Sequence, residues 1–483
     1  MTDTPAPEST MAARLRPLTF GLIAIITCAA FEAMAVATAM PAVADELDGE
    51  ASYGLAFSMY LTASLLGTVL AGSWTDRRGP RPALRVGMAL MIAGLLLSGA
   101  APEFWVVTAG RAVSGLGGGF LIVAVYVVIG RAFPAGAQPV VFGWLSAAWV
   151  VPSLVGPFVA GVVAEELHWR WVFLGVAPLV AAAGLVVAPR IRSLGPPADP
   201  GTGGTGSAGW RRALRGLGLS GGVFAVQWAV IRLAADGNSA AATGLLAALA
   251  AVGLAAVFIT LPGLLPRGTL RFGRGLPSII GTRGLVNVAF FGAEAFIPLM
   301  LVSARGVDAS TAGLALSAGA LGWSAGAFLQ TRVRFRRQWL LVAGSTLLSL
   351  TLGGFALASG AQAPLPVLIL IWAFAGMAMG MTLSSTSVLV LSLSPKAEQG
   401  RNSASLQIAD QLGGVAGTAG AGTLFALLRD PAAPGRVEVF VAIWLALCLF
   451  AAAGIVSGLR GAQAPKAGPT KDTTKSMEGT VPA

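Results

Sequence analysis

Apolar residues fill most of the chain in runs of about 20 to 30, separated by short breaks rich in Arg, Gly and Pro. A hydrocarbon core of about 30 Å takes about 20 apolar residues per helical span. Fourteen such runs can be placed, roughly at 17–41, 51–74, 83–101, 104–130, 139–163, 169–190, 213–234, 240–264, 276–302, 309–330, 338–359, 364–392, 403–428 and 436–459. No run alternates apolar and polar residues with a period of two, so a transmembrane barrel gives way to an all-α polytopic membrane protein. The first apolar run lasts about 25 residues, much longer than a cleavable signal core, and reads as an uncleaved helix.

Composition agrees: 55% of the 483 residues are hydrophobic and 11% charged, outside the range of a soluble domain. The net charge of +11 would point to nucleic acid if it were gathered on one face. Instead 26 of the 32 Lys and Arg fall in the tails and in every second loop, counting Arg267 to Arg283 as one such loop. The other six are Arg111, Arg170, Arg232, Arg305, Arg429 and Arg436, and no nucleic-acid partner is expected. The first intervening loop carries Asp45, Glu46, Asp48 and Glu50, and the third carries Glu165 and Glu166. The positive-inside rule then places both termini in the cytoplasm. Richness in Ala, Gly and Arg points to a bacterial source, hence an inner cell membrane.

Chemistry-bearing residues are few. Cys28 and Cys448 lie inside apolar spans, and His168 is the single histidine. Neither a metal, nor a cofactor, nor an enzymatic centre is expected. The Gly- and Pro-rich stretch from Ser193 to Gly209 marks a linker. The chain divides into a cytoplasmic tail (1–16), a six-helix bundle (17–192), a flexible linker (193–212), a two-helix insertion (213–264), a second six-helix bundle (276–459) and a disordered tail (460–483). Weak internal repeats support two bundles: Ala30 to Ala33 pairs with Phe291 to Ala295, and Gly72 to Arg81 with Gly326 to Arg332.

Four stretches carry a resemblance. Gly72 to Arg81 occupy a short polar turn and resemble the signature loop of the major facilitator superfamily, G-x-x-x-D-[RK]-x-G-x-[RK], with Gly72, Asp76, Arg77, Gly79 and Arg81 in register. Arg111-Ala-Val-Ser114-Gly115-Leu-Gly117 resembles R-x-x-Q-G-x-G, with Ser for Gln. Gly143, Gly156, Pro157 and Gly161 resemble the antiporter motif of drug exporters, with Pro152 and Ala160 replacing two glycines. Phe31-Glu32 through Met40-Pro41 is similar to the first helix of the 14-helix drug:proton antiporters, which usually carry Asp where this chain has Glu32. The resemblance implies the major facilitator fold, two six-helix bundles plus a two-helix insertion, in a monomer. It also implies proton-coupled export of small hydrophobic or cationic compounds by alternating access, the partners being a small-molecule substrate, protons and the lipid bilayer. No G-x-x-x-x-G-K-[ST] segment occurs, so ATP is not the fuel.

Three acids lie well inside spans: Glu32, Glu294 and Asp410. Desolvation favours the neutral form of a carboxyl, the property a proton carrier needs. Glu32 and Glu294 each lie about 16 residues from the cytoplasmic end of their span, roughly 24 Å, and Arg111 falls at nearly the height of Glu32. A pair between them that protonation or a cationic substrate weakens is the simplest route to exchange. Glu294 divides evenly between coupling and a structural hydrogen bond. Asp410 serves substrate admission, proton release, or a local bond to Gln411 or Ser405. Candidate cavity walls are Phe31, Met34, Trp149, Phe291 and Trp323, with Phe290, Phe296, Trp372 and Met379 as further candidates. Trp74, Trp105, Trp169, Trp171, Trp210 and Trp339 read as an interfacial belt. The competing function is a dedicated exporter of one metabolite, antibiotic or lipid.

Overall fold

A computed structural model describes residues 7–134, 137–191, 207–234, 239–332, 337–395, 398–430, 433 and 435–463. Of the expected flexible linker 193–212, residues 193–206 lie outside the described residues and 207–212 are helical; of the expected disordered tail 460–483, residues 460–462 are helical and 464–483 lie outside the described residues. The first bundle comprises α1 (Pro7–Glu46), α2 (Tyr53–Arg78), α3 (Pro80–Gly99), α4 (Phe104–Ala132), α5 (Gln138–Val163), α6 (Trp169–Leu174) and α7 (Val176–Val187). A hairpin follows, α8 (Ser207–Ala234) and α9 (Ala240–Thr260). The second bundle holds α10 (Leu276–Arg305), α11 (Ala309–Arg332), α12 (Arg337–Gly360), α13 (Leu365–Leu393), α14 (Gln399–Leu428) and α15 (Val437–Ala462).

Local chemistry sets the joints. Gly79 takes φ 77°, closing α2, and Pro80 starts α3 with the torsion a first helical turn needs. Seven of the ten signature residues, Gly72 to Arg78, are therefore the last turns of α2 rather than a polar turn, and Gly79 alone makes the joint. Gly306, at φ 61°, ends α10: its N–H reaches the Val302 carbonyl (3.1 Å) and the Val307 N–H reaches Leu301 (3.0 Å).

Among the described residues, 12 helices are long and apolar enough to cross a membrane, against the fourteen expected. Ala147–Val187 counts as one stretch of 41 residues, about 60 Å at 1.5 Å per residue and twice a bilayer core. It folds back where His168 takes extended torsions (φ 175°, ψ 147°), so that α5 and α7 both pack on α1. The other difference is α8, which carries Arg211, Arg212 and Arg215 near one end and Gln227 and Arg232 near the other.

Close helix approach through small residues holds the bundles together, since lipid gives helices no hydrophobic reason to associate. In the first bundle Gly94 of α3 lies against the Gly110 carbonyl of α4 (2.6 Å to a side chain built there), and Gly115 of α4 against the Tyr60 carbonyl of α2. In the second, Gly322 meets the Ala373 carbonyl and Gly380 the Trp323 carbonyl. The bundles face one another along two seams, α2 with α14 and α5 with α11. One end of the molecule, called the basic end here, carries Arg77, Arg78 and Arg332; the acidic end carries Glu46, Glu50, Glu165 and Asp308.

Trp169 departs from the expected interfacial belt. It is buried and its indole N–H donates to Glu46 (2.7 Å), because the chain fold-back presses it onto α1. Trp74 packs edge-on against Phe120, whereas Trp105, Trp171 and Trp339 are exposed.

Candidate functional site

Glu32 of α1 and Arg111 of α4 form an ion pair with both side chains about 1–2% exposed. The Ser114 hydroxyl donates to the same carboxylate oxygen (2.9 Å), so the residue standing where the family pattern has Gln is a partner of Glu32. Arg111 Nε donates to the Ala56 carbonyl (3.4 Å), and the guanidinium sits 4.3 Å from the Tyr60 ring centre. These contacts fix Arg111 inward rather than letting it reach for the interface. Glu32 Oε2 is buried without a hydrogen-bond partner.

A second ion pair was not legible in the sequence. Arg283, expected in a cytoplasmic loop, lies on the third turn of α10 and grips Asp410 of α14 with two bonds, Nε to Oδ1 (2.5 Å) and Nη2 to Oδ2 (2.6 Å). Its Nη1 donates to the Leu383 carbonyl (2.7 Å) and to Ser387 (2.8 Å) of α13. Asn287 adds a bond to Asp410 Oδ1 (2.5 Å). The local partners expected for Asp410 are engaged elsewhere, Ser405 donating to the Leu264 carbonyl (3.1 Å) and Gln411 to Thr68 (3.4 Å). Such a bidentate fork fixes geometry as well as charge.

The pair divides two cavities between the bundles. The smaller, about 260 Å³, meets Tyr60, Arg111, Asn287, Glu294 and Asp410. The larger, about 570 Å³, meets Arg283, Phe290, Glu294 and Trp323. Met34, Trp149 and Phe291 border both. Glu294 faces both as well, and makes no ion pair among the described residues. Of the other wall candidates, Phe31 lies 3.4 Å from where a side chain on Gly156 would begin, while Phe296, Trp372 and Met379 are buried in the second bundle, Trp372 stacked on Phe290 (4.6 Å).

Both seams are shut at the acidic end. Gly161 of the antiporter-like motif abuts Ser310 Cα (2.5 Å from a side chain built there), and Gly313 abuts the Pro157 carbonyl. Glu165 accepts from the Ser310 N–H (2.9 Å). On the other seam Gly54 meets Gly422, and Arg429 pairs with Glu50 (3.2 Å). The Asp76 side chain and the surroundings of Gly143 lie outside the described residues. Arg77 is exposed at the basic end, and Gly72 has open space beside it.

Two helical bundles meeting along small-residue seams, with charged groups walling cavities between them, define a membrane transporter of the two-bundle class. The chain belongs to the Major Facilitator Superfamily, whose model matches residues 22–293 and 281–482. It is 28% identical over 183 residues to the "Acurin A biosynthesis cluster MFS-type transporter" of Aspergillus aculeatus, covering 38% of this chain and 33% of that one. It is 26% identical over 360 residues to "MFS-type transporter ungB" of Aspergillus violaceofuscus, covering 70% and 63%. It is 28% identical over 153 residues to "Efflux pump dotC" of Dothistroma septosporum, covering 32% and 26%. The chain thus spans about a third of the length of the first of these relatives. They are fungal, so they lend no support to the bacterial source that the composition pointed to. Among solved structures, a bacterial homolog to the human lysosomal transporter Spinster, inward-facing and unoccupied, superposes with TM-score 0.67 at 13% identity, over 93% of this chain and 97% of that one. The peptide transporter POT gives TM-score 0.62 at 16% identity, over 91% and 93%. At these identities the likeness is one of fold.

Proposed function

We propose that this protein is a proton-coupled exporter of small hydrophobic or cationic compounds, working by alternating access with both termini cytoplasmic. The observation that carries the reading is the buried Glu32–Arg111–Ser114 cluster, with one carboxylate oxygen unpartnered. Protonating Glu32 removes the charge that holds Arg111 and weakens the tie between α1 and α4. Glu294, facing both cavities beside Phe291 and Trp323, is the group that meets a cationic cargo, with aromatic faces adding to its attraction. Closure of both seams at the acidic end supports a conformer whose cavities belong to the cytoplasmic side. Asp410 is tied to Arg283 and serves as a fixed counter-ion in this conformer.

Pure protein in vesicles with an imposed pH gradient tests this. Glu32→Gln should abolish gradient-driven export of a lipophilic cation such as tetraphenylphosphonium while leaving its binding intact. Full export by the variant would sink the reading. A dedicated exporter of one metabolite is the second reading, favoured by the relative named for a biosynthesis cluster. Failure of a panel of cations to move, with one metabolite transported, would select it.

A further inference from the structure

A third cavity, of about 700 Å³, lies at the acidic end and shares no lining residue with the two between the bundles. It is a groove between α4 and α8, floored by Leu55 and Met59 of α2, which packs on both helices. One wall is Phe104, Thr108 and Ala112 of α4; the facing wall is Phe224, Trp228 and Arg232 of α8. Each set repeats every four residues and so runs along one helix face. From end to end each covers eight positions, about 12 Å at 1.5 Å per residue, close to one leaflet's half of a ~30 Å hydrocarbon core.

Two ties on α2 hold the α8 wall in place. Leu219, deeper on α8, is fully buried with Leu65 of α2. Gln227, 6% exposed, accepts from the Ser58 hydroxyl (2.8 Å) and donates to Thr62 (3.2 Å). A buried amide in hydrocarbon stays only where both ends are bonded, so α8 keeps a set height against α2.

The groove is apolar in its shaft and charged at its mouth. Phe224 and Trp228 stack at 6.2 Å and are each 43% exposed, so this wall meets lipid. Exposed Trp105 stands on the rim, at the level where indoles favour the membrane interface. The mouth is made by Asp48, Arg232 and Arg429. Both arginines belong to the six that break the positive-inside pattern, and here they converge. Arg429 gives one N–H to Glu50 (3.2 Å), and a guanidinium carries five. A soluble anion has no use for the shaft, and a bare hydrocarbon has none for the mouth. A phospholipid uses both.

We propose that this groove binds one phospholipid with a zwitterionic headgroup, drawn from the leaflet at the acidic end. Its phosphate meets the guanidiniums of Arg232 and Arg429, its ammonium meets Asp48, and an acyl chain lies between α4 and α8. Asp48 and Glu50 offset the two arginines, so the mouth offers an anionic headgroup no net attraction. A zwitterion finds a partner there for each of its charges.

The full chain in nanodiscs of phosphatidylethanolamine and phosphatidylglycerol tests this, with a trace of phosphatidylethanolamine carrying a diazirine on one acyl chain. After irradiation, adducts at Trp105, Ala109 and Trp228 should exceed those at Leu245 and Val252, exposed on α9, by about fivefold or more. The same diazirine on phosphatidylglycerol should give a clearly smaller excess, and Asp48→Asn should narrow that difference. Ala109→Leu with Ala112→Phe fills the shaft without touching the mouth, and should bring the ratio of groove to α9 adducts to about one. Soluble glycerophosphoethanolamine in large excess should not compete; if it does, the site takes a free phosphodiester and the proposal fails. Even labelling of the groove and α9 in the unaltered chain overturns it too, as does equal labelling by the two lipids or a parental ratio in the filled variant.

Discussion

The α2–α14 and α5–α11 seams start alike and end differently. Each is closed at the acidic end by glycine against backbone and by a carboxylate from the first bundle, Glu50 to Arg429 in one and Glu165 to the Ser310 N–H in the other. Toward the basic end each seam borders a cavity, the smaller lined by Leu61 and Gln411 and the larger by Ser153 and Ala320, but among the described residues α8 backs only α2–α14. Two bundles related by rough symmetry thus make an asymmetric transporter. The insertion between them supplies the difference, since α8 packs on α2 and α14 but not on the opposite seam.

The partition between the cavities is the largest lever on this asymmetry. Asp410→Ala leaves the Arg283 guanidinium unpaired beside Thr386 and Ser387, and should cost about 3 kcal/mol of stability. Arg283→Met with Asp410→Leu should recover most of that loss, because no charge is then stranded. Thermal unfolding in detergent reads both. A single variant as stable as the parent would mean that the pair does not hold α10, α13 and α14 together.

Next come the glycine seals. Gly313→Leu drives a side chain into the Pro157 carbonyl, and Gly54→Leu drives one into α14, each at about 1–3 kcal/mol. Both should raise labelling of the cavity from the acidic face by an impermeant thiol reagent, in a chain carrying one cysteine at Ser64. Gly72→Ala, with open space around it, should stay within about 0.5 kcal/mol of the parent. If Gly313→Leu and Gly72→Ala behave alike, the close approach is not what shuts the α5–α11 seam.

Particular residues show how far sequence reaches. Apolar run length marks the helices, and helical rise puts Glu32 and Arg111 at one height, where the structure has them paired. Arg283 escaped because it sits eight residues into α10, where positive-inside counting cannot separate a loop arginine from one turned into the bundle. For Asp410 a local bond to Gln411 or Ser405 is one of three roles the sequence leaves open; its partner Arg283 is 127 residues away, and nothing local points there. Gln227 drew no notice because a lone amide in an Ala- and Leu-rich helix has no motif around it. The expected spans 139–163 and 169–190 fall on either side of the α5–α7 fold-back, although no Gly or Pro punctuates the turn at Ala164–His168. The cavity aromatics split likewise, since Trp323 and Trp372 share a composition but only tertiary packing sends one to the cavity and the other to the core.

Gln227→Leu sharpens the comparison at smaller cost. Interhelical hydrogen bonds in membranes average about 0.6 kcal/mol, so losing those to Ser58 and Thr62 should remove about 1 kcal/mol. Hydrogen exchange should quicken in α8 and in the facing turns of α2, with α5 and α11 unchanged. Equal quickening at both seams would deny α8 its one-sided role.

The smallest effect lies at the sealed acidic end of the α5–α11 seam, where Asp308 precedes α11. Bonds from Ser310 (2.6 Å) and Thr311 (2.9 Å) hold its carboxyl below the ordinary aspartate value. A depressed value means stability that is present above the unfolded aspartate range and lost as pH falls through the folded one, hence below about pH 4. The carboxylate also faces the helix N-terminus, whose N–H groups favour negative charge, and Glu165 binds the same turn. Because Asp308 is exposed, Asp308→Ala should cost only about 0.5 kcal/mol, the low end for a lost cap. Unfolding midpoints compared at pH 7 and pH 3.5 should show the parent beginning to lose that margin and the variant losing nothing further from this site. A variant matching the parent at pH 7 would leave Glu165 alone to fix the end of α11.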